Sequence, residues 1–164
     1  MLTLITGGAR SGKTRQALNT ATETEPRIYM ATAQLLDEEM SERARRHRAE
    51  RGARWETIEE PFEVARRLQE IKGFVVIDCL TLWLSNWMLR DNAEVDSQIA
   101  GLCSVLKHIP YHAVAITNEV GSSIVPINAM ARQFRDWSGL MNQQAAAIAD
   151  SVILMVCGIP LKVK

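Results

Sequence analysis

Short apolar runs alternate with longer mixed stretches along the whole chain. Met1 to Thr6 is apolar and closes on glycines, which predicts a buried first strand, and the segment from about Gly12 to Thr22 reads as a helix. RIYMAT (27–32) predicts a second strand. Asp37 follows as an expected helix N-cap, with Glu38 and Glu39 in the first turn and Gly52 as the stop signal. Pro61 is placed at the first position of a helix that carries Phe62, Ala65, Leu68 and Ile71 on one face. FVVI (74–77) predicts a third strand ending on Asp78. A moderately amphipathic helix is expected from about Val95 to Lys107, and a fourth strand at AVAIT (113–117). Asn128 to Ala149 reads as a long helix with a possible break near Gly139. Ser151 to Val156 is the fifth expected strand, and Pro160 to Val163 a short one at the sheet edge.

The strands are continuous apolar runs, and such runs belong to a sheet covered on both faces. Alternation of strand and helix from end to end makes the expected fold α/β and mostly parallel. With 164 residues and no repeat or low-complexity linker, one domain over 1–164 is expected.

Charge changes the picture little. Nineteen basic and nineteen acidic residues balance, which argues against a general nucleic-acid binder. Cys79, Cys103 and Cys157 have no close spacing, so reduced, buried thiols are expected instead of a disulfide framework or a zinc site. No run reaches the roughly 18 apolar residues of a membrane span. The N-terminus lacks the basic region of a signal peptide. A cytoplasmic location is the expectation.

The strongest chemical signal is Gly7-Gly8-Ala9-Arg10-Ser11-Gly12-Lys13-Thr14, which satisfies GxxxxGK[ST] directly after a strand and at the opening of a helix. Glycines let backbone N–H groups turn inward around phosphate oxygens, and the helix N-terminus adds partial positive charge. Lys13 is expected to reach the β- and γ-phosphates of a nucleoside triphosphate, and the Thr14 hydroxyl to ligate magnesium. Asp78, delivered by an apolar strand to the carboxyl edge of the sheet, is the expected second magnesium ligand. Its other role would be a helix cap.

From Arg43 to Arg54 six arginines face one acid, Glu50. Met40, Ala44, His47 and Arg51 fall along one helical stripe. A histidine among arginines suits a phosphate-rich ligand, since guanidinium groups bind phosphate bidentately. The same pattern also describes a solvated helix with local ion pairs. His108 and His112, flanking Pro110 before a strand, read as structural.

Several segments together carry a resemblance: GGARSGKT (7–14), YMATAQLLDEEM (29–40), RxxxHRxxR (43–51), Trp55, ITNEVGSSIVP (116–126), RQFRDWSG (132–139), NQ (142–143) and GIPLKVK (158–164). In this order they resemble the bifunctional adenosylcobinamide kinase/adenosylcobinamide-phosphate guanylyltransferase family of cobalamin biosynthesis, over nearly the whole chain. The resemblance implies a P-loop NTPase domain of RecA-like kind. It implies phosphorylation of adenosylcobinamide from ATP or GTP, then transfer of GMP from GTP through a guanylyl-histidine to adenosylcobinamide phosphate.

By resemblance the histidine is His47. Nucleotide contacts fall on Gly7 to Thr14, Ala31, Thr32, Ala33, Arg48, Ala49, Glu50, Arg51, Glu59 and Asp78, with Lys13 catalytic and Thr14 and Asp78 on Mg2+. Glu59 is a candidate acceptor for the guanine N1–H and N2 donors, or a helix-start acid before Pro61. Glu119 is a candidate acid that positions water or a ligand. Trp55, Trp83, Trp87 and Trp137 are candidates for a corrinoid surface or a subunit interface, or are core residues. A homo-oligomer, a trimer by family precedent, is implied as well. Leu140 stands where the family's run carries arginine, and the stretch between Asn86 and Val114 is shorter than expected. The competing readings are a P-loop kinase of another small alcohol or nucleoside, with no covalent intermediate, and a nucleotide-binding regulatory module.

Overall fold

Among the described residues, seven strands form one sheet in the order β3-β2-β4-β5-β1-β6-β7. They are β1 (Leu2–Gly7), β2 (Arg27–Ala31), β3 (Trp55–Glu59), β4 (Phe74–Asp78), β5 (Ala113–Ile116), β6 (Ser151–Val156) and β7 (Ile159–Lys162). The computed structural model describes residues 1–21, 24–34, 38, 42, 45, 48, 49 and 51–164. The first six strands run parallel, and β7 returns antiparallel on β6 as an exposed edge. The helices are α1 (Lys13–Asn19), α2 (Val64–Glu70), α3 (Leu80–Arg90), α4 (Val95–His108) and α5 (Ala129–Ile148).

Period-two alternation divides the core into two layers. Leu2, Leu4, Ile28, Met30, Val75, Ile77, Ala113 and Ala115 face the layer built by α2, α3, α4 and α5. Ile5, Tyr29, Phe74, Val76, Val114 and Ile116 face the other side, where α1 packs through Ala17. Both faces are therefore covered, as the continuous apolar strands require.

Two elements were not anticipated. WETIE (55–59) alternates over only five residues and forms the half-exposed edge strand β3. LTLWLSNWMLR (80–90) forms α3, with six buried positions around much of its circumference, so no narrow apolar stripe marks it in sequence. Trp83 and Trp87 lie in this helix, buried in the core, and both indole N–H groups donate to the Phe62 carbonyl, at 2.8 and 3.2 Å.

Three expectations need correction. Pro61 is not the first residue of a helix, because α2 begins at Val64. The Glu60 carboxylate instead accepts from the Phe62 and Glu63 N–H groups, at 3.1 and 2.8 Å, and organises the turn. The apolar face of Phe62, Ala65, Leu68 and Ile71 is nevertheless the one that packs. Helix α5 runs unbroken through Gly139, where a Cβ would meet nothing within 4 Å. Cys157 is exposed in the β6–β7 turn, whereas Cys79 and Cys103 are buried, and burial raises both of their thiol pKa values.

Asn128 caps α5 as its residue type predicts, accepting from the Ala131 N–H at 3.0 Å. Asp37, the cap expected for the arginine-rich helix, lies outside the described residues. The described residues between 38 and 51 are helical, and Gly52, with φ of 76°, follows them as the stop. Among the described residues no helix is long and apolar enough to cross a membrane.

His112 holds the amino edge of the sheet. Its Nε2 lies 3.3 Å from the Thr3 hydroxyl, and its ring meets Phe74 edge-on at 4.9 Å. Burial first, then the N-terminal ammonium, lowers its pKa below 6.5, against an opposing pull from Asp150. The unfolded chain therefore binds a proton in a window below pH 6.5 where the native chain does not, and stability falls as pH drops through that window. Thermal unfolding of His112→Phe between pH 7 and 5 should show a shallower fall than the wild type. Parallel profiles would remove His112 from the acid response.

Candidate active site

Strand register brings the chemistry to one edge. Glu59 pairs with Ala31, Ala31 with Asp78, and Asp78 with Ile116, so the ends of β3, β2, β4 and β5 form a row at the carboxyl edge. The loop after β1 closes that edge, where ligands gather in open parallel sheets.

The Gly7 to Thr14 loop is held by its surroundings. Gly7 has φ of 146°, and a Cβ there would come within 2.6 Å of the Met155 carbonyl oxygen and 2.9 Å of Ser11 Oγ. Only glycine lets β1 turn into the loop so close to β6. The β6–β7 turn supports the loop from the far side. Cys157 and Gly158, both with positive φ, place the Gly158 N–H against the Ser11 carbonyl at 3.1 Å. That contact gives the GIPLKVK segment a structural reason.

Lys13 is buried, and its ammonium donates to the Gly7 and Gly8 carbonyls at 3.0 and 2.6 Å. Burial lowers its pKa from 10.5, with Cys79 and Asp78 pulling the other way. The Thr14 hydroxyl donates to Asp78 Oδ2 at 2.8 Å. A hydroxyl and a carboxylate in contact are hard oxygen donors. Such a pair suits Mg2+, which takes one or two protein oxygens and completes its shell with phosphate and water.

Tyr29, which opens the YMATAQLLDEEM segment but is not among the expected site residues, donates its phenolic O–H to the same Oδ2 at 2.5 Å. Burial, followed by the Asp78 charge and this hydrogen bond, pushes the phenol pKa far up, so it remains a donor. The Arg51 guanidinium lies 3.6 Å above the Tyr29 ring centroid and donates to Thr57 Oγ1 at 2.9 Å. Arg51 is thus brought near Asp78, and burial lowers its pKa.

Thr32 is fully buried behind Asp78. Its hydroxyl donates to the Cys79 carbonyl and accepts from the Cys79 N–H, both at 2.7 Å. Asn86 of α3 donates to the Thr32 and Pro61 carbonyls at 2.7 and 2.9 Å, fixing the exit of β2. A second network holds the loop after β5. Thr117 donates to Asn142 at 2.7 Å and meets Thr81 at 3.2 Å, and Asn142 donates to the Asn118 carbonyl at 3.1 Å. Hydrogen bonds among Thr117, Asn118 and Asn142 therefore tie the TNEV and NQ segments together around the buried Thr117. Glu119 extends from it, its N–H on the Gly7 carbonyl at 3.1 Å and its exposed carboxylate accepting from Gly121 N at 2.9 Å.

Of the remaining candidates, Ala31 and Ala33 border Thr32 at the end of β2. Glu59, Arg48 and Ala49 are exposed, and Gly8, Ala9 and Arg10 form the exposed lip of the loop. His47 and Glu50 lie outside the described residues. Leu140 is exposed on α5, two residues before Asn142 and so on the other side of the helix from the Asn142 network.

A family model described as cobinamide kinase / cobinamide phosphate guanyltransferase, CobU, matches residues 3–163. The chain belongs to this family. It is 38% identical to the bifunctional adenosylcobalamin biosynthesis protein CobP of Pseudomonas aeruginosa, over all of this chain and 98% of that protein. It is 36% identical to the bifunctional adenosylcobalamin biosynthesis proteins CobU of Salmonella typhimurium and Escherichia coli, over the full length of each. Among solved structures, a KaiC-like protein of Pyrococcus horikoshii superposes with a TM-score of 0.50 at 16% identity, over 93% of this chain and 69% of that one. A type III secretion ATPase gives 0.58 at 13% identity, over 94% and 51%. These two likenesses concern the fold, a P-loop NTPase of RecA-like kind.

Proposed function

We propose that this chain phosphorylates the side-chain hydroxyl of adenosylcobinamide from a nucleoside triphosphate. It then transfers GMP from GTP to the resulting phosphate, giving adenosylcobinamide-GDP. The observation that carries the proposal is membership of the family over residues 3–163, joined to a phosphate loop whose Thr14 touches Asp78 at 2.8 Å.

In this reading the backbone N–H groups from Gly8 to Thr14 and the Lys13 ammonium bind the triphosphate. Thr14 and Asp78 hold Mg2+, which supplies neutralisation of charge on the phosphate oxygens. Ala31, Thr32 and Ala33 flank the nucleotide at the end of β2. Arg48, Ala49, Glu50 and Arg51 are assigned to the nucleotide as well, and Glu59 accepts from the guanine edge.

In the first reaction the acceptor hydroxyl oxygen bonds to the γ-phosphorus, the β–γ bridge breaks with release of the nucleoside diphosphate, and the hydroxyl proton passes to solvent. In the second a ring nitrogen of His47 bonds to the α-phosphorus of GTP and the α–β bridge breaks, releasing pyrophosphate. A phosphate oxygen of adenosylcobinamide phosphate then displaces His47 and takes the GMP. Dividing one displacement into two is the usual gain of a covalent nucleophile, and the arginines stabilise charge at the α-phosphorus.

The reading places the enzyme in the cytoplasm, acting on small molecules instead of nucleic acid. It also makes it a homo-oligomer, a trimer. Exposed Ile124, Val125, Ile127 and Met130 support assembly, since apolar patches of this kind are commonly covered by partners.

The test is product analysis with the full chain, Mg2+, GTP and adenosylcobinamide. Mass spectrometry should show the phosphate ester first and the GDP derivative after it. Phosphorylation of simple alcohols or nucleosides without either corrinoid product would make this a different P-loop kinase.

A further inference from the structure

We propose that Tyr29 is a positioning residue that sets the Asp78 carboxylate for the metal and ties it to the arginine helix through Arg51. The inference rests on the reading of Asp78 as a magnesium ligand.

Tyr29 and Asp78 belong to neighbouring strands. Tyr29 pairs with Val76, and two residues on, Ala31 pairs with Asp78, so Tyr29 and Asp78 stand on the same face of the sheet. From there the phenol reaches Asp78 Oδ2 at 2.5 Å, the oxygen that also accepts from Thr14 at 2.8 Å. An ionised carboxylate is acceptor-only, with two oxygens. Two donors on one oxygen fix the rotation of the group and keep the other oxygen for a ligand. Thr14 has a second assigned task at the metal. Tyr29 has only this one, which makes it the fixed reference for the carboxylate.

The ring has its own partner. The Arg51 guanidinium stacks at 3.6 Å from the centroid and is oriented by Thr57, the residue that pairs with Tyr29 across β2 and β3. Arg51 Nε is buried and has no hydrogen-bond partner among the described residues. Stacking on Tyr29, together with the Thr57 bond, therefore locates this arginine. Arg51 lies four residues after His47 in the sequence, and the described residues next to it, Arg48 and Ala49, are helical. One side chain thus joins the metal carboxylate to the segment that carries the nucleophile, by its hydroxyl on one side and its ring face on the other.

The hydroxyl and the ring can be removed separately. Mn2+ binding to the GTP-saturated full chain, read from the free-ion EPR signal, should weaken about tenfold in Tyr29→Phe, the usual scale for losing a group that orients a metal ligand. Asp78→Asn is the control for the metal site, and metal-free GTP binding the control for the loop. Tyr29→Phe keeps the ring, so saturating metal should restore its rate of His47 labelling by α-labelled GTP. Tyr29→Leu removes the ring, and its labelling should remain slow at any metal concentration.

Wild-type Mn2+ affinity in Tyr29→Phe beside a weakened Asp78→Asn would overturn the positioning role while leaving the metal site intact. Wild-type affinity in both variants would show that Asp78 is not the metal ligand, and the inference would fall with that reading. Equal labelling of folded Tyr29→Leu and Tyr29→Phe at saturating metal would remove the link to Arg51.

Discussion

His47→Ala should lose all covalent label from α-labelled GTP, and GMP transfer to adenosylcobinamide phosphate should fall by at least about a thousandfold, the scale seen when a catalytic nucleophile is deleted. The wild type, incubated with Mg2+ and denatured, should retain label that acid removes and alkali does not, as a phosphorus–nitrogen bond requires. The imidazole is the atom source of that bond, so no neighbouring arginine can replace it. Phosphoryl transfer, which makes no bond to histidine, is measured beside it. An equally steep fall there would mean that His47 holds its helix in place instead of carrying GMP. Absence of label from a folded, GTP-binding wild type would reject the covalent step.

The second large effect belongs to Lys13. Lys13→Met should reduce kcat/KM of both reactions by about 10²- to 10³-fold, the magnitude attached to losing one oriented donor at a reacting phosphate or carbonyl centre. The fold should survive. Lys13 is 8% exposed and already disfavoured as a cation by burial. The Gly7 carbonyl that it contacts keeps a donor in Glu119 N at 3.1 Å. A neutral stem of similar length removes a buried charge and retains the packing. Thermal unfolding and both transfer assays check this together. Loss of only one activity would show that the loop serves the two reactions with different groups, and a collapsed melting temperature would make Lys13 structural.

Much of the fold was legible because its strands are buried on both sides. Runs such as FVVI (74–77) and AVAI (113–116) admit few other readings, and each is a central strand. Legibility failed where burial was partial or complete on every side. Strand β3 is too short and too polar to stand out, and α3 has too wide a buried surface for an amphipathic signature.

The site divides in the same way. The loop from Gly7 to Thr14 and the acid at Asp78 were readable because each chemistry demands its residue types at one place in the chain. Tyr29, Asn86 and Asn142 were not readable as site residues. Their partners, Asp78, Thr32 and Thr117, lie 49, 54 and 25 positions away.

Local order along the chain therefore determined the phosphate loop, the strand–helix alternation and the family. The GxxxxGK[ST] spacing and the apolar run before it are properties of consecutive residues. The tertiary structure alone decided which hydroxyls reach Asp78, where Arg51 rests, and why Gly158 touches the loop. Those contacts form only when parallel pairing brings the ends of β2, β4, β5 and β6 to one edge. A parallel sheet joins residues far apart in the chain, so no local pattern records them.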